Sequence, residues 1–300
     1  MTHKQIPKYR AVGGSCLRLF IHLRLHFQLL LSPIFLWGYL LGEGRLSPRV
    51  WIAFIAIHIF LYGGTTAYNS YYDRDEGPVG GLEKPPAITP ELLPFSLAVQ
   101  AIGALLAAFV NVTFFTFYIV IFILFTAYSH PRLRLKGRPW IGLLSIALGQ
   151  GVLAGLGGAA VADATLNTLT PLKWIGLLTA AVLIVGFYPL TQLYQVDEDL
   201  ARGDLTFAAW AGTRGTFTFT LTTMSLASLV LIPVFHSLFN SVLTLVLVVF
   251  CVFLLGSIAR WAGRYKPAET INNYRHVMWL YRLMALGFLS FVCLRLLDLL

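Results

Sequence analysis

Two short acidic segments stand out in a chain otherwise poor in charge. The first reads Asn69-Ser-Tyr-Tyr-Asp73-Arg-Asp75-Glu76-Gly77, and the second Gln195-Val-Asp197-Glu198-Asp199-Leu-Ala-Arg-Gly-Asp204. With Glu83 and Glu91, which follow the first, these segments hold nine of the thirteen Asp and Glu residues. Asn69 and Asp73 are spaced i,i+4, as are Gln195 and Asp199, and on a helix such pairs project from one face. Two helix ends of this kind, facing each other across a cavity, would make a hard, oxygen-rich site. Mg2+ suits such ligands, because it bridges a few carboxylates to substrate phosphates and keeps several waters. The bland alternative is that charges at helix ends mark the water interface. The clustering and the repeated spacing favour a site.

Between the acidic segments lies a basic one, Tyr128-Ser-His130-Pro-Arg132-Leu-Arg134-Leu-Lys136-Gly-Arg138. Alone it reads as an orientation signal. Beside two carboxylate clusters it becomes a candidate diphosphate clamp, since Arg and Lys neutralise phosphate oxygens. Arg24 and Arg282 fall inside apolar runs, where a charge is costly and by default implies a partner or a site. Arg24 is close enough to its helix end for snorkelling to compete. His58, in an apolar stretch, reads as a hydrogen-bonded packing residue.

The elements that must position these groups are membrane helices. The 300 residues are 57% hydrophobic and 12% charged, against roughly 25% charged in a soluble domain. Apolar runs of about 20 residues recur, each long enough to cross a hydrocarbon core about 30 Å thick. In that solvent backbone amides must be satisfied within each segment, which selects helices. The alternation of a membrane β-barrel is absent. The expected fold is all-α, a polytopic bundle of about nine transmembrane helices around a central cavity, with helices at 18–42, 50–72, 92–110, 112–129, 140–162, 171–194, 215–235, 239–259 and 275–297. One domain covers 1–300. The acidic loops lie four helices apart, which suggests four-helix repeats over 18–130 and 140–260, with the ninth helix extra.

Charge sets the orientation. Lys4, Lys8, Arg10, Arg18, Arg74, Lys84, Arg132, Arg134, Lys136, Arg138, Arg202, Arg214, Arg260, Arg264, Lys266 and Arg275 share one side. Arg45, Arg49, Lys173 and Arg295 are on the other. Sixteen against four is a strong positive-inside bias, so the first side, with both acidic loops, is expected to be cytoplasmic. In a membrane protein the net charge of +9 points to anionic lipid rather than nucleic acid. Cys16, Cys251 and Cys293 are too few and scattered for a disulfide framework or metal site. No short apolar stretch with a cleavage site follows the basic N-terminus, so no signal peptide is expected.

Taken together, the motifs resemble those of UbiA-type intramembrane prenyltransferases. The segment YNSYYDRDEG resembles their Asn-Asp-x-x-Asp-x-x-x-Asp motif, YSHPRLRLKGRPWIG their Tyr-Ser-x-Pro-x-Leu-Arg-x-Lys loop, and QVDEDLARGDLTFA their second acidic motif. Order, loop placement and helix number agree across essentially the whole chain. Three positions depart from the pattern. Ser70 and Gly77 stand where the first motif often has Asp, and Gln195 stands where the second would begin with Asp.

The resemblance implies Mg2+-dependent transfer of a polyprenyl group from an isoprenoid diphosphate to a small hydrophobic acceptor, commonly aromatic, within the membrane lipid. It implies metal binding by Asn69, Asp73, Asp75, Gln195 and Asp199, with Asn69, Asp73 and Asp199 catalytic. Arg24, Tyr128, Arg132, Arg134 and Lys136 would contact the diphosphate. Tyr68, Tyr71, Tyr72, Tyr128 and Tyr194 offer ring faces to a passing allylic cation. A terpene cyclase on the same scaffold is the alternative, because the acidic positions are altered. A non-catalytic transporter is a weaker alternative. Its usual signature is broken helices near the midplane, whereas these carboxylates lie at the membrane face.

Overall fold

The computed structural model describes residues 15–164, 167–297 and 299. Lys4, Lys8 and Arg10, counted above for orientation, lie outside them. Among the described residues nine helices are long and apolar enough to cross a membrane: α1 (Cys16–Leu41), α2 (Pro48–Asp73), α3 (Leu92–Val110), α4 (Val112–Ser129), α5 (Pro139–Val161), α6 (Pro171–Gln192), α7 (Phe207–Leu238), α8 (Ser241–Ala262) and α9 (Thr270–Leu296). The outward faces are apolar, with Phe109 84% and Val242 70% exposed, as lipid-facing surface requires. The protein is an integral membrane protein.

Hydropathy located the spans because twenty apolar residues leave the backbone no other solution. The break between α3 and α4 is fixed by Asn111, whose extended backbone (φ −170, ψ 165) separates two apolar runs. Its side-chain Oδ1 accepts from the Phe114 N–H at 2.8 Å and its side-chain Nδ2 donates to Ala160 O of α5 at 2.8 Å. The largest departure is α7, expected from 215 and observed from Phe207. Its first turn packs Phe207 and Trp210 around Trp140, then kinks at Gly212 (φ 66). The polar residues around that glycine hide the turn from a hydropathy reading. α6 ends at Gln192, two residues before the expected 194. Pro189 lies in its closing 3-10 turn, Tyr188–Gln192, and the chain restarts as a separate short helix, Val196–Ala201. Asp199 therefore rides on its own helix rather than on the end of α6.

The bundle is anchored where α1 crosses α5. The α5 segment 154–161 reads AGLGGAAV, and small residues let helix backbones approach closely. A Cβ at Gly158 would lie 1.9 Å from Phe35 O, and one at Gly38 1.8 Å from Gly155 O. Trp37, fully buried beside this contact, donates its indole N–H to Gly176 O of α6 at 3.2 Å.

Three irregularities aim the helices at the site. α1 breaks at Arg24, a non-glycine residue at φ 50. α2 contains a π-helical stretch, Ile55–Tyr62, and α5 another, Ala147–Leu153. Such insertions inside α-helices frequently accompany functional sites. His58, within the first, is fully buried with Nδ1 3.1 Å from Phe54 O, as expected of a packing residue.

Gly158→Ala should lower stability by about 1–3 kcal/mol through overpacking, read as a fall in unfolding temperature in detergent. Gly256→Ala, where an added Cβ meets nothing within 4 Å, should leave it unchanged or higher. Equal unfolding temperatures for the two variants would contradict the close α1–α5 contact.

Candidate functional site

The site is assembled at one end of the bundle from α2, the loop after α4 and the short helix after α6. α2 ends with Asp73, capped by a left-handed Arg74 (φ 53) whose N–H donates to Ser70 O at 3.0 Å. The loop after α4 turns at Arg134 (φ 40) into the 3-10 turn Leu135–Gly137. Leu205 N–H donates to Gly137 O at 3.1 Å, tying this loop to the second acidic segment.

Charge pairing joins these pieces. Lys136 is buried, in contact with the Asp73 carboxylate, and donates to Asn69 Oδ1 at 2.9 Å. Ser129 donates to the same Asn69 oxygen at 2.9 Å. Arg134 grips Asp204 through two bonds of 2.6 Å and reaches Asp73 at 3.3 Å. Arg202 bridges the two acidic segments, with Asp75 at 2.5 Å and Asp199 at 2.6 Å. Glu198 Oε1 accepts the Gly77 N–H at 2.8 Å, so Gly77, lacking a carboxylate of its own, is still bound to the second segment. Thr206 donates to Asp199 Oδ2 at 3.2 Å.

Burial pushes the Asp199 carboxyl up to about 6, against the pull of Arg202 and Lys136. Burial also opposes the charge on Arg202, but Asp75, Asp73 and Asp199 outweigh it and hold that guanidinium above its ordinary pKa. Desolvation and pairing thus act in opposite directions across the site.

Asn69, Asp73, Asp75, Gln195 and Asp199 line one cavity, together with Lys136 and Arg24. Arg24 is 5% exposed and donates to Ser70 Oγ at 2.7 Å and Gly80 O at 3.2 Å. Ser70 therefore neighbours a cation through a neutral oxygen. Tyr128 also lines the cavity, its hydroxyl hydrogen-bonded to that of Tyr188. Arg134 meets the cavity's carboxylates from behind. Arg132 is exposed and takes no part in the wall, and Arg282, expected to mark a partner or site, is exposed on α9 and likewise absent from it. Sequence reasoning missed Arg202, Tyr188 and Thr206. For Arg202 a signal existed: it stands i+3 from Asp199 and i+4 from Glu198, which places it on their helix face.

The cavity does not stop at the face. A chamber deeper in the bundle shares Arg24, Asn69, Tyr128 and Gln195 with it, and continues past Leu31, Gln150 and Tyr281 into an apolar chamber between α1, α6, α7, α8 and α9. A polar head and an apolar body would thus be housed at different depths.

The donors at the face are hard oxygens, which suit Mg2+. Among the described residues no three His, Cys, Asp or Glu side chains are gathered closely enough to hold a metal by themselves. The set therefore fits a cation shared with substrate phosphates and water rather than a cage made wholly of protein.

Residues 31–283 match the UbiA prenyltransferase family. The chain belongs to that family. Over 169 residues it is 31% identical to a protoheme IX farnesyltransferase from Aeropyrum pernix, a stretch that is 53% of this chain and 54% of the relative. The chain thus spans about half the length of that curated relative. Among solved structures, a UbiA homologue from Archaeoglobus fulgidus bound to DMAPP and Mg2+ superposes with a TM-score of 0.67 at 19% identity, covering 92% of this chain and 99% of the other. An apo UbiA homologue from Aeropyrum pernix K1 gives 0.59 at 16% identity, covering 89% and 98%. These likenesses establish that the described helices have the UbiA fold.

In this UbiA chain, Arg202→Met should destabilise strongly, by about 3–5 kcal/mol, because it leaves Asp75 and Asp199 buried without their shared partner. Arg132→Met should change stability by less than about 0.5 kcal/mol. Thermal unfolding in detergent compares them, and similar shifts would refute the bridging role of Arg202.

Proposed function

We propose that this protein transfers a polyprenyl group from an isoprenoid diphosphate to a small apolar acceptor within the membrane, with Mg2+ and with its site toward the cytoplasm. The observation that carries the reading is the meeting of Asp73 and Asp199, from opposite halves of the chain, on the wall of one charge-paired cavity that continues into apolar space. Support also comes from the relatives: one is named for a farnesyl donor, and another was solved with DMAPP and Mg2+. The cytoplasmic orientation rests on the asymmetry of Lys and Arg between the two faces.

The paired charges suit a ligand that carries both signs. Asn69, Asp73, Asp75, Gln195 and Asp199 offer oxygens to the cation. Lys136, Arg24 and Arg202 on the cavity wall offer N–H donors to the diphosphate, and Arg134 holds Asp73 and Asp204 in place behind them. Bound Mg2+ supplies Lewis-acid stabilisation of the leaving diphosphate. As the allylic C–O bond breaks, its electron pair leaves with the diphosphate, whose developing charge the basic residues neutralise. An electron-rich carbon of the acceptor then bonds the allylic carbon and sheds its proton. Tyr128 and Tyr188, packed between the polar face and the apolar chamber, present aromatic surface to the cationic carbon and help keep water from it.

Asp73→Asn and Asp199→Asn should each reduce diphosphate release from geranyl diphosphate by at least about a hundredfold while the protein stays folded in detergent. Normal turnover in both would sink the reading. Chelation should abolish release and added Mg2+ restore it, because free carboxylates alone cannot replace the cation. Lys136→Ala should weaken diphosphate binding more than acceptor binding; an equal loss of both would remove Lys136 from the phosphate side of the site.

A further inference from the structure

The passage from the polar chamber to the apolar one is a neck. Leu31, Gln150 and Tyr281 are the residues that line both sides of it. Two of the three are polar, deep in a bundle whose lower chamber is otherwise almost wholly hydrocarbon. A carboxamide or hydroxyl withdrawn from water without a partner is costly, and in the bilayer interior no bulk solvent supplies one.

Gln150 differs from the other glutamines of the membrane helices in this respect. Gln28 donates to Leu23 O at 2.8 Å, Gln100 accepts from Thr65 at 3.2 Å and donates to Ser96 O at 3.1 Å, and Gln192 accepts the Ala208 N–H at 3.1 Å. The side chain of Gln150 has no hydrogen-bond partner among the described residues, and neither has the hydroxyl of Tyr281. Both are nonetheless firmly placed. Gln150 sits in the π-helical stretch of α5, Ala147–Leu153, flanked by Gly149 and Gly151, where Phe125 and Ala181 already occupy the space a side chain would need. The Tyr281 ring is wedged between Phe27 at 5.2 Å and Phe187 at 5.3 Å. Rigid scaffolding holds two unsatisfied polar groups at the rim of an apolar chamber.

We propose that the Gln150 carboxamide and the Tyr281 hydroxyl recognise a hydroxyl or carbonyl oxygen on the apolar acceptor, at the neck below the diphosphate site. The inference rests on the prenyl-transfer reading and adds to it the chemistry of the second substrate. The donor cannot satisfy these groups. Its diphosphate is matched to the cations of the polar face, and the remainder of the molecule is hydrocarbon. Of the two reactants, only the acceptor can bring a polar atom to this depth. Gln150 can both donate and accept and Tyr281 can do either, so hydroxyl and carbonyl oxygens are both served. A site built to hydrogen-bond a substrate group rejects the analogue that lacks it far more strongly than an apolar pocket distinguishes sizes.

The full chain in phosphatidylcholine nanodiscs, with empty nanodiscs as blank, can be titrated with 2-naphthol and with 2-methylnaphthalene, which has a similar shape and no polar atom. The wild type should prefer the naphthol by at least about tenfold. Gln150→Leu and Tyr281→Phe should each erase most of that preference while binding 2-methylnaphthalene as well as before. Gln150→Leu should also unfold at the same or a higher temperature, since it removes an unpaired polar group; a fall would mean the amide is structural and would overturn the proposal. No preference in the wild type, or one that survives both substitutions, would overturn it as well. Geranyl diphosphate binding, measured on the same samples, separates this failure from a deeper one. If it persists, only acceptor recognition is wrong. If the wild type does not bind geranyl diphosphate, the prenyl-transfer reading fails and this inference falls with it.

Discussion

Four carboxylates and four cations are drawn together at one end of the bundle, and the arrangement of the helix ends depends on keeping them paired. Asp73, Asp75, Asp199 and Asp204 come from the two acidic segments, Arg134 and Lys136 from the loop after α4, Arg24 from α1, and Arg202 from the second acidic segment itself. An ion withdrawn from water is tolerated only where geometry and hydrogen bonds compensate it. Arg202 meets that demand across the two segments at once. Without it, two nearly buried aspartates would repel, and the ends of α2 and the short helix Val196–Ala201 would be left to the Gly77–Glu198 hydrogen bond and to Arg134 between Asp73 and Asp204.

A network that is balanced in itself is also ready to be shared. A diphosphate accompanied by a divalent cation carries both signs, so each end of it can replace one member of an existing pair without leaving another charge bare. That property distinguishes the site from a plain acidic cluster, which would favour a cation alone, and from a plain basic patch, which would favour any anion. The aromatic zone beneath, with the hydroxyls of Tyr128 and Tyr188 joined, separates this ionic layer from the hydrocarbon chamber. Ionic grip and water exclusion are arranged in sequence along one axis.

Much of this was legible in the residues because membrane helices are governed by a simple rule. The spans 92–110 and 112–129 were readable to their ends, since Asn111 interrupts two apolar runs and can cap the second. The pairing of the acidic segments was readable from spacing and from the side of the membrane on which they lie. The direction of the basic loop was not. Arg132, Arg134, Lys136 and Arg138 alternate along it, and which of them turn inward is decided by the left-handed backbone at Arg134 and the tight turn after it. The spacing of Arg202 from Glu198 and Asp199 was legible, but its bridging role was not, because its partner Asp75 is remote in sequence. The neck at Gln150 was equally opaque, because a glutamine in an apolar helix looks the same whether its amide is satisfied or waiting.

The π-helical stretch Ile55–Tyr62 makes the direction of the first acidic motif depend on how that segment winds. Each residue of a helix advances the side-chain direction by about 100°, and a π turn accommodates one residue more than an α turn. Were this stretch to wind as a regular α-helix with all its residues kept, the extra residue would be taken up as a rotation of everything that follows it. Asn69 and Asp73 would then be swung about a quarter-turn or more around the helix axis, away from Lys136 and Arg202. Substitutions that favour regular winding there would therefore misdirect the motif, whereas loss of one residue together with the π turn would largely preserve its direction.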